Sequence, residues 1–208
     1  STLLSKGKII GWFQGRMEFG PRSLGNRSII ADPRIVDMQK KLNLKIKFRE
    51  SFRPFAPSIL EEFKLKYFNL EKESPYMLFT RDLEEEFLLS KEFNNISNKM
   101  DLLNIERSNI TSVTHVDNTC RVQTVSKKRN KLFYDLINCF YKKTECPILI
   151  NTSFNVRGEP IVCNPEDAFN CFINTDIDFL VLGNFLIKKD DMEPPIFKKF
   201  KKIEFIPD

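Results

Sequence analysis

Three short apolar runs constrain this chain most. Lys8–Gln14 (KIIGWFQ), Pro147–Phe154 (PILINTSF) and Phe179–Ile187 (FLVLGNFLI) are apolar on successive rather than alternate positions. Runs of this length and pattern predict strands inside a core. None approaches the ~20 apolar residues that a membrane helix needs. Asn130–Lys143 has a different period: Leu132, Phe133, Leu136, Ile137 and Phe140 recur at helical spacing, the mark of an amphipathic helix. Strands and helices mixed over 208 residues predict one α/β or α+β domain with a mostly buried sheet.

The remaining segments follow from local chemistry. Leu3 and Leu4, then Ile9 and Ile10, read as the tail of a helix running into the first strand, so the chain reads as a piece of a longer protein. Gly15–Arg22 is a glycine-punctuated loop, and Pro21 suits the first position of a helix predicted to reach about Ala31. Val36–Leu44 is predicted helical. Lys47–Ser58 is predicted extended, because its two prolines oppose helix. Residues 61–110 are acidic and weakly patterned. They are expected to be a variable insertion or lid, with a strand at Pro75–Phe79. Thr111–Val125 reads as a hairpin turning at Asp117–Asn118. That register would put Thr114 opposite Arg121 and Ser112 opposite Gln123 on one face, with Val113, His115, Cys120 and Val122 on the other. Asn155–Pro160 reads as a turn and Ile161–Cys163 as a short strand. Asn164-Pro165-Glu166-Asp167 is a helix start: cap, proline, then acids in the first turn. Residues 191–208 read as a lysine-rich tail.

Charge separates along the chain. Residues 1–57 hold twelve Lys/Arg against four Asp/Glu, whereas residues 58–110 hold seven against eleven. The positive potential on the first quarter favours anionic ligands. Arginine suits that use, because its planar fork matches two phosphate oxygens. The five cysteines form no C-x-x-C pair and His115 is the only histidine, so no zinc cage, disulfide framework or histidine-rich metal centre is expected from this chain, and a cytoplasmic location with reduced thiols is.

Three constellations carry candidate chemistry. Arg16, Glu18, Arg22, Asn26 and Arg27 surround the first loop. Lys47-Phe48-Arg49, followed by Arg53, would place two cations on one strand face with Phe48 behind them. Ser153-Phe154-Asn155, followed by Arg157, would place a hydroxyl and an amide on one face with Phe154 turned inward. Two cations from one segment and two polar groups from another would make a polyphosphate cradle.

The stretches GWFQGRMEFGPRSLGNRSIIADPR, FRESFRPFAPS, THVDNTCRVQTV and LINTSFNVRGEPIVCNPEDAF resemble, in order, the C-terminal domain of the NodU/CmcH-family carbamoyltransferases. That domain is similar to YrdC, whose K-x-R and S-x-N signatures match Lys47–Arg49 and Ser153–Asn155. Two departures are visible: Ser23 stands where alanine is usual, and Asn118 where a turn glycine is usual.

The resemblance implies a YrdC-like twisted mixed sheet flanked by helices, over residues 1–208. It implies an ATP- and carbamoyl-phosphate-binding half-enzyme that forms carbamoyl adenylate and pyrophosphate, with Mg²⁺ as companion ion. Transfer to a hydroxyl acceptor, a sugar or a secondary metabolite, would occur on an N-terminal Kae1-like domain of the same polypeptide, where Fe²⁺ or another metal would sit. Lys47, Arg49, Ser153 and Asn155 would hold ATP and the adenylate. Arg121 and Arg157 would act with Lys47 and Arg49 on charge at the transferred group. Arg16, Arg22, Arg27 and Arg53 would bind carbamoyl phosphate or face the other domain. Neither a membrane nor nucleic acid is an expected partner. The other readings are an RNA- or nucleotide-binding module of the same fold, or a non-catalytic docking domain.

Overall fold

The computed structural model describes residues 1–89 and 105–192. Its centre is a mixed eight-stranded sheet flanked by helices, an α/β architecture. A short helix, α1 (Thr2–Ser5), leads into β1 (Ile10–Phe13) and β2 (Arg27–Ala31). Then come α2 (Met38–Lys45), β3 (Ala56–Leu60), α3 (Lys64–Phe68), β4 (Phe79–Asp82) and β5 (Thr119–Val125). The chain continues through α4 (Lys131–Thr144), β6 (Ile148–Ser153), α5 (Pro165–Ile173), β7 (Phe179–Leu182) and β8 (Phe185–Lys188). The strand order is β4-β5-β3-β6-β2-β1-β7-β8. β3–β5 and β1–β7 are parallel and the other pairs antiparallel.

The predicted strands at 8–14 and 147–154 sit inside this sheet, and β1, β2 and β3 are buried along their whole length. On α4 the Asn130 side chain accepts from the Phe133 amide at 3.1 Å. Phe133, Ile137 and Phe140 are then fully buried, each worth about 1.5–3 kcal/mol. On α5, Asn164 Oδ1 accepts from the Asp167 amide at 2.9 Å, and Asp167 Oδ2 accepts from the Asn164 amide at 3.2 Å, closing a capping box. One close approach orients the site. A Cβ on Gly11 would lie 2.6 Å from Cζ of Phe154, so only glycine lets that ring seat behind β1.

Several expectations are corrected. No helix follows Pro21: Arg27–Ala31 is β2, held between β1 and β6. Gly25 at φ +112° breaks any helix there, and successive Ile29 and Ile30 suit a strand paired on both sides. The 111–125 hairpin does not form. Thr111–Val113 is a 3₁₀ turn, and the Ser/Thr hydroxyls bond locally, Ser108 Oγ to Thr114 Oγ1 at 2.7 Å and Thr114 Oγ1 to the Ile110 carbonyl at 3.1 Å. The turn itself is real, with Asn118 at φ 64° and the His115 amide donating to the Thr119 carbonyl at 2.8 Å. Consequently Arg121 stands opposite Thr80, and Gln123 opposite Ser58. Phe179–Ile187 is two strands reversed at Gly183, φ 56°. Ile161–Cys163 forms no strand; the Val162 amide donates to the Phe154 carbonyl at 2.9 Å and the Cys163 amide to Asp167 Oδ2 at 3.0 Å.

Within 61–110 the described residues are no loose lid. Tyr67, Phe68, Leu70, Leu83, Phe87 and Ile110 join the common core. The strand expected at Pro75–Phe79 begins at Phe79 instead and forms an exposed edge. Of the tail at 191–208, only Asp191 and Met192 are among the described residues.

Candidate functional site

Lys47, Phe48 and Arg49 do not lie on a strand. They wind off the C-terminal end of α2, where the carbonyls of Leu42 and Asn43 accept the amides of Lys47 and Arg49 at 2.9 and 3.0 Å. These bonds satisfy carbonyls that a helix end leaves open. Phe48 takes φ 48°, a conformation that costs a non-glycine residue about 1–2 kcal/mol. The reversal separates its neighbours. Lys47, 4% exposed, points inward, while Arg49 stays half-buried.

Lys47 Nζ meets the end of β6. It donates to the carbonyl and Oγ of Ser153 at 2.5 and 3.1 Å, and to the carbonyl and Oδ1 of Asn155 at 2.9 and 2.8 Å. Ser153 Oγ also donates to Asn155 Oδ1 at 2.7 Å, and Asn155 Nδ2 to the Glu159 carbonyl at 2.7 Å. Phe154 between them is fully buried, as the apolar centre of the tripeptide predicts. Burial, with the charge of Arg49 as second cause, lowers the Lys47 pKa to about 7. Four surrounding oxygens hold the donor-rich ammonium form against that loss. Lys47 thus does not emerge beside Arg49. It fixes Ser153 and Asn155 from beneath.

Arg49 is differently placed. Among the described residues its guanidinium hydrogen-bonds through Nε alone, which donates to Asn43 Oδ1 at 2.6 Å, and it lies 5.0 Å from the Phe55 ring centre. Neither terminal nitrogen has a protein partner among the described residues. Burial, then neighbouring Arg53, lowers its pKa to about 10. Glu50 is the acid of this corner, pairing with Arg53 at 3.0 Å and Arg157 at 3.8 Å. The Arg157 amide donates to the Lys47 carbonyl at 3.3 Å, which ties the two segments together. The structure therefore brings Lys47, Arg49, Arg53, Ser153, Asn155 and Arg157 into one cationic corner.

Arg121, on β5, is half-buried, and desolvation followed by the charge of Arg22 lowers its pKa. Its Nε is buried with no partner among the described residues. Arg16 and Arg22 are exposed. Arg27 is structural. It donates to the carbonyls of Gln14, Asn26, Gly15 and Cys163 at 2.8–3.3 Å and lies 3.4 Å from the Phe13 ring centre. Glu18 shapes the same loop rather than pairing with Arg16 or Arg22, its Oε1 accepting from the amides of Leu24 and Asn26 at 2.6 and 2.8 Å.

The sequence pattern misses a polar frame under this face of the sheet. Asn151 Nδ2 donates to Gln123 Oε1 at 2.9 Å and to the Ser23 carbonyl at 3.2 Å. Ser58 Oγ also bonds Gln123 Oε1, and Gln123 Nε2 reaches the Leu24 carbonyl at 2.8 Å. The available signal is an amide inside an otherwise apolar strand, Asn151 in ILIN. Gln123 also lines an open cavity of about 370 Å³ with Glu18, Leu24, Tyr76, Arg129 and Asn130. Among the described residues no group of three or more His, Cys, Asp or Glu side chains could hold a metal ion.

Fold and corner together define an α/β domain with a cationic corner where the C-terminal end of α2 meets the end of β6. The chain belongs to the Carbamoyltransferase C-terminus family, whose model matches residues 1–189. It is 54% identical over 189 residues to an uncharacterized Synechocystis protein, sll1178, covering 90% of this chain and 31% of that one. It is 46% identical over 190 residues to the nodulation protein NolO of Bradyrhizobium diazoefficiens, covering 89% and 31%. It is 34% identical over 184 residues to the 3'-hydroxymethylcephem-O-carbamoyltransferase of Amycolatopsis lactamdurans, covering 88% and 31%. The chain thus spans about a third of the length of these relatives. Among the described residues no helix is long and apolar enough to cross a membrane.

Proposed function

We propose that this chain is the ATP- and carbamoyl-phosphate-using part of an O-carbamoyltransferase, with a YrdC-like fold, forming carbamoyl adenylate for transfer to a hydroxyl. One observation carries the reading. Two tripeptides about a hundred residues apart meet through Lys47 Nζ, Ser153 and Asn155, beside an Arg49 fork held, among the described residues, at Nε alone.

ATP brings roughly four negative charges and carbamoyl phosphate about two more, so their union calls for fixed cations. Mg²⁺ would enter on the nucleotide phosphates, which supply the oxygen ligands it prefers. Carbamoyl phosphate first loses phosphate to water, leaving carbamate. A carbamate oxygen then attacks the α-phosphorus of ATP, and pyrophosphate departs in line with its electron pair. Catalysis here is positioning and charge stabilisation. The Arg49 fork takes two phosphate oxygens. The second Nδ2 hydrogen of Asn155 directs a third, the amide being held by Lys47 and by the Ser153 hydroxyl through Oδ1. Arg157 and Arg121 stabilise charge at the transferred group, and Arg53, Arg16 and Arg22 draw anions to the face. Arg27 is left out of this set, because its carbonyl partners already hold its guanidinium.

The hydroxyl acceptor, a sugar or secondary metabolite, and any Fe²⁺ or similar metal are assigned to an N-terminal Kae1-like domain. Five free cysteines fit a cytoplasmic location. Calorimetry with an α,β-methylene ATP analogue and Mg²⁺, with and without carbamoyl phosphate, tests the reading. Binding that Arg49→Ala abolishes is expected, and equal binding by that variant would refute it.

A further inference from the structure

We infer that Asn43 on α2 is the positioning residue that keeps the Arg49 fork aimed and chemically free. The inference rests on the reading of Arg49 as an anion ligand. Asn43 is fully buried, unusual for an amide unless its hydrogen bonds are met. Among the described residues its side-chain and carbonyl bonds go to one short segment. Oδ1 accepts from Arg49 Nε at 2.6 Å, the Asn43 carbonyl accepts from the Arg49 amide at 3.0 Å, and Nδ2 donates to the carbonyls of Ser51 and Arg53 at 3.1 and 2.8 Å. One side chain therefore fixes where the loop turns and where its arginine points.

The chemistry of the acceptor matters as much as its place. A carboxylate at this position could accept two guanidinium hydrogens and cancel the charge. An amide carbonyl is neutral and takes Nε alone. Asn43 itself therefore adds no negative charge beside the cation, Glu50 being the acid that acts on it, and leaves both terminal nitrogens to two oxygens of a phosphate. Gln39, one turn earlier on the same helix, supplies an internal control. Its Nε2 holds the carbonyls of Phe52 and Arg53, each at 3.2 Å, without touching Arg49.

Three variants of the chain separate these roles: Asn43→Asp, Asn43→Ala and Gln39→Ala. Two readouts apply, affinity for the α,β-methylene ATP analogue with Mg²⁺ and the NMR signal of Arg49 Nε–H. That signal is assigned by its loss in Arg49→Lys. In the wild type it is expected to exchange slowly with water. It should persist in Asn43→Asp, which keeps an acceptor, and vanish in Asn43→Ala. Affinity should fall about tenfold or more in both Asn43 variants, the scale of one hydrogen bond to a charged group, and stay within about threefold in Gln39→Ala.

Undiminished affinity in a folded Asn43→Asp overturns the inference alone. An analogue that fails to bind the wild type overturns both the site reading and this inference. Should both Asn43 variants fail to fold, the wild-type spectrum decides: a rapidly exchanging Arg49 Nε–H refutes the clamp, and a protected one supports it.

Discussion

Two arginine-rich stretches of this chain meet opposite fates. In Gly15–Arg27, Arg27 is enclosed by four carbonyls and stacked on Phe13, while Arg16 and Arg22 stand exposed. In Lys47–Arg53, one cation braces two ligand-like side chains from below and the next keeps its fork open. Both stretches look alike as charge. Their acceptors differ. Backbone carbonyls on both terminal nitrogens make Arg27 part of the scaffold, whereas a single neutral acceptor at Nε orients Arg49 and leaves its fork to act. Charge counting locates a cationic surface, and only the partners of each cation say what it does.

The comparison can be broken at either end. The largest effect is expected at Arg27. Arg27→Ala strands buried carbonyls and opens a void, so stability should fall by about 3 kcal/mol or more, a drop in Tm of roughly 6–12 °C. A shift under 1 °C in a thermal melt would remove Arg27 from the scaffold. Next comes Arg49→Ala, expected to stay folded. Its carbamoyl-phosphate-dependent pyrophosphate exchange should fall at least ~100-fold, about 3 kcal/mol of transition-state stabilisation. Near-normal exchange would place the open fork outside the chemistry.

Lys47 sharpens the contrast through pH. Its folded pKa of about 7 lies below the ordinary 10.5. Below about pH 7 both folded and unfolded chains carry the ammonium, and the full burial cost is felt. As pH rises from about 7 towards 10.5 the folded chain has already released the proton, the unfolded chain binds more protons, and stability rises. Affinity for the ATP analogue should move the other way over the start of that window, as positive charge and donors are lost. Urea melts and calorimetry from pH 6 to 9 check both slopes, and Lys47→Met should flatten the stability slope. The smallest effect is expected at Arg22→Ala: stability unchanged within about 0.5 kcal/mol and a modest loss of analogue affinity that disappears in high salt. A salt-insensitive loss would make Arg22 a direct ligand.

Legibility in the sequence followed the range of the interactions. The cap at Asn164, the helix face of Phe133, Ile137 and Phe140, and the apolar centre of β6 are set by neighbours in sequence, and each is found as the pattern predicts. Arg27–Ala31 was not legible, because a strand gripped from both sides by β1 and β6 has no local signature, while Pro21 offers a false one. The Thr111–Val125 hairpin failed because β5 finds its partners in β3 and β4, far along the chain. At the site, the two tripeptides were visible as polar-apolar-polar spacings. The inward turn of Lys47 was not, since it depends on a left-handed backbone at Phe48 that a β-like reading of K-x-R does not anticipate. Asn43 was hidden for the same reason, its partners being mostly main-chain groups of a loop whose path no pattern encodes.

The bare backbone of Gly11 has a reach beyond β1. Phe154 rests on it from the far side, and the flanking serine and asparagine ride on that ring. A single methyl added at position 11 would meet that ring at 2.6 Å and force it, with the side chains on either side, to shift, without replacing any group of the cationic corner itself. A change at this one position of β1 would therefore reach the cationic corner from a strand that supplies none of its side chains.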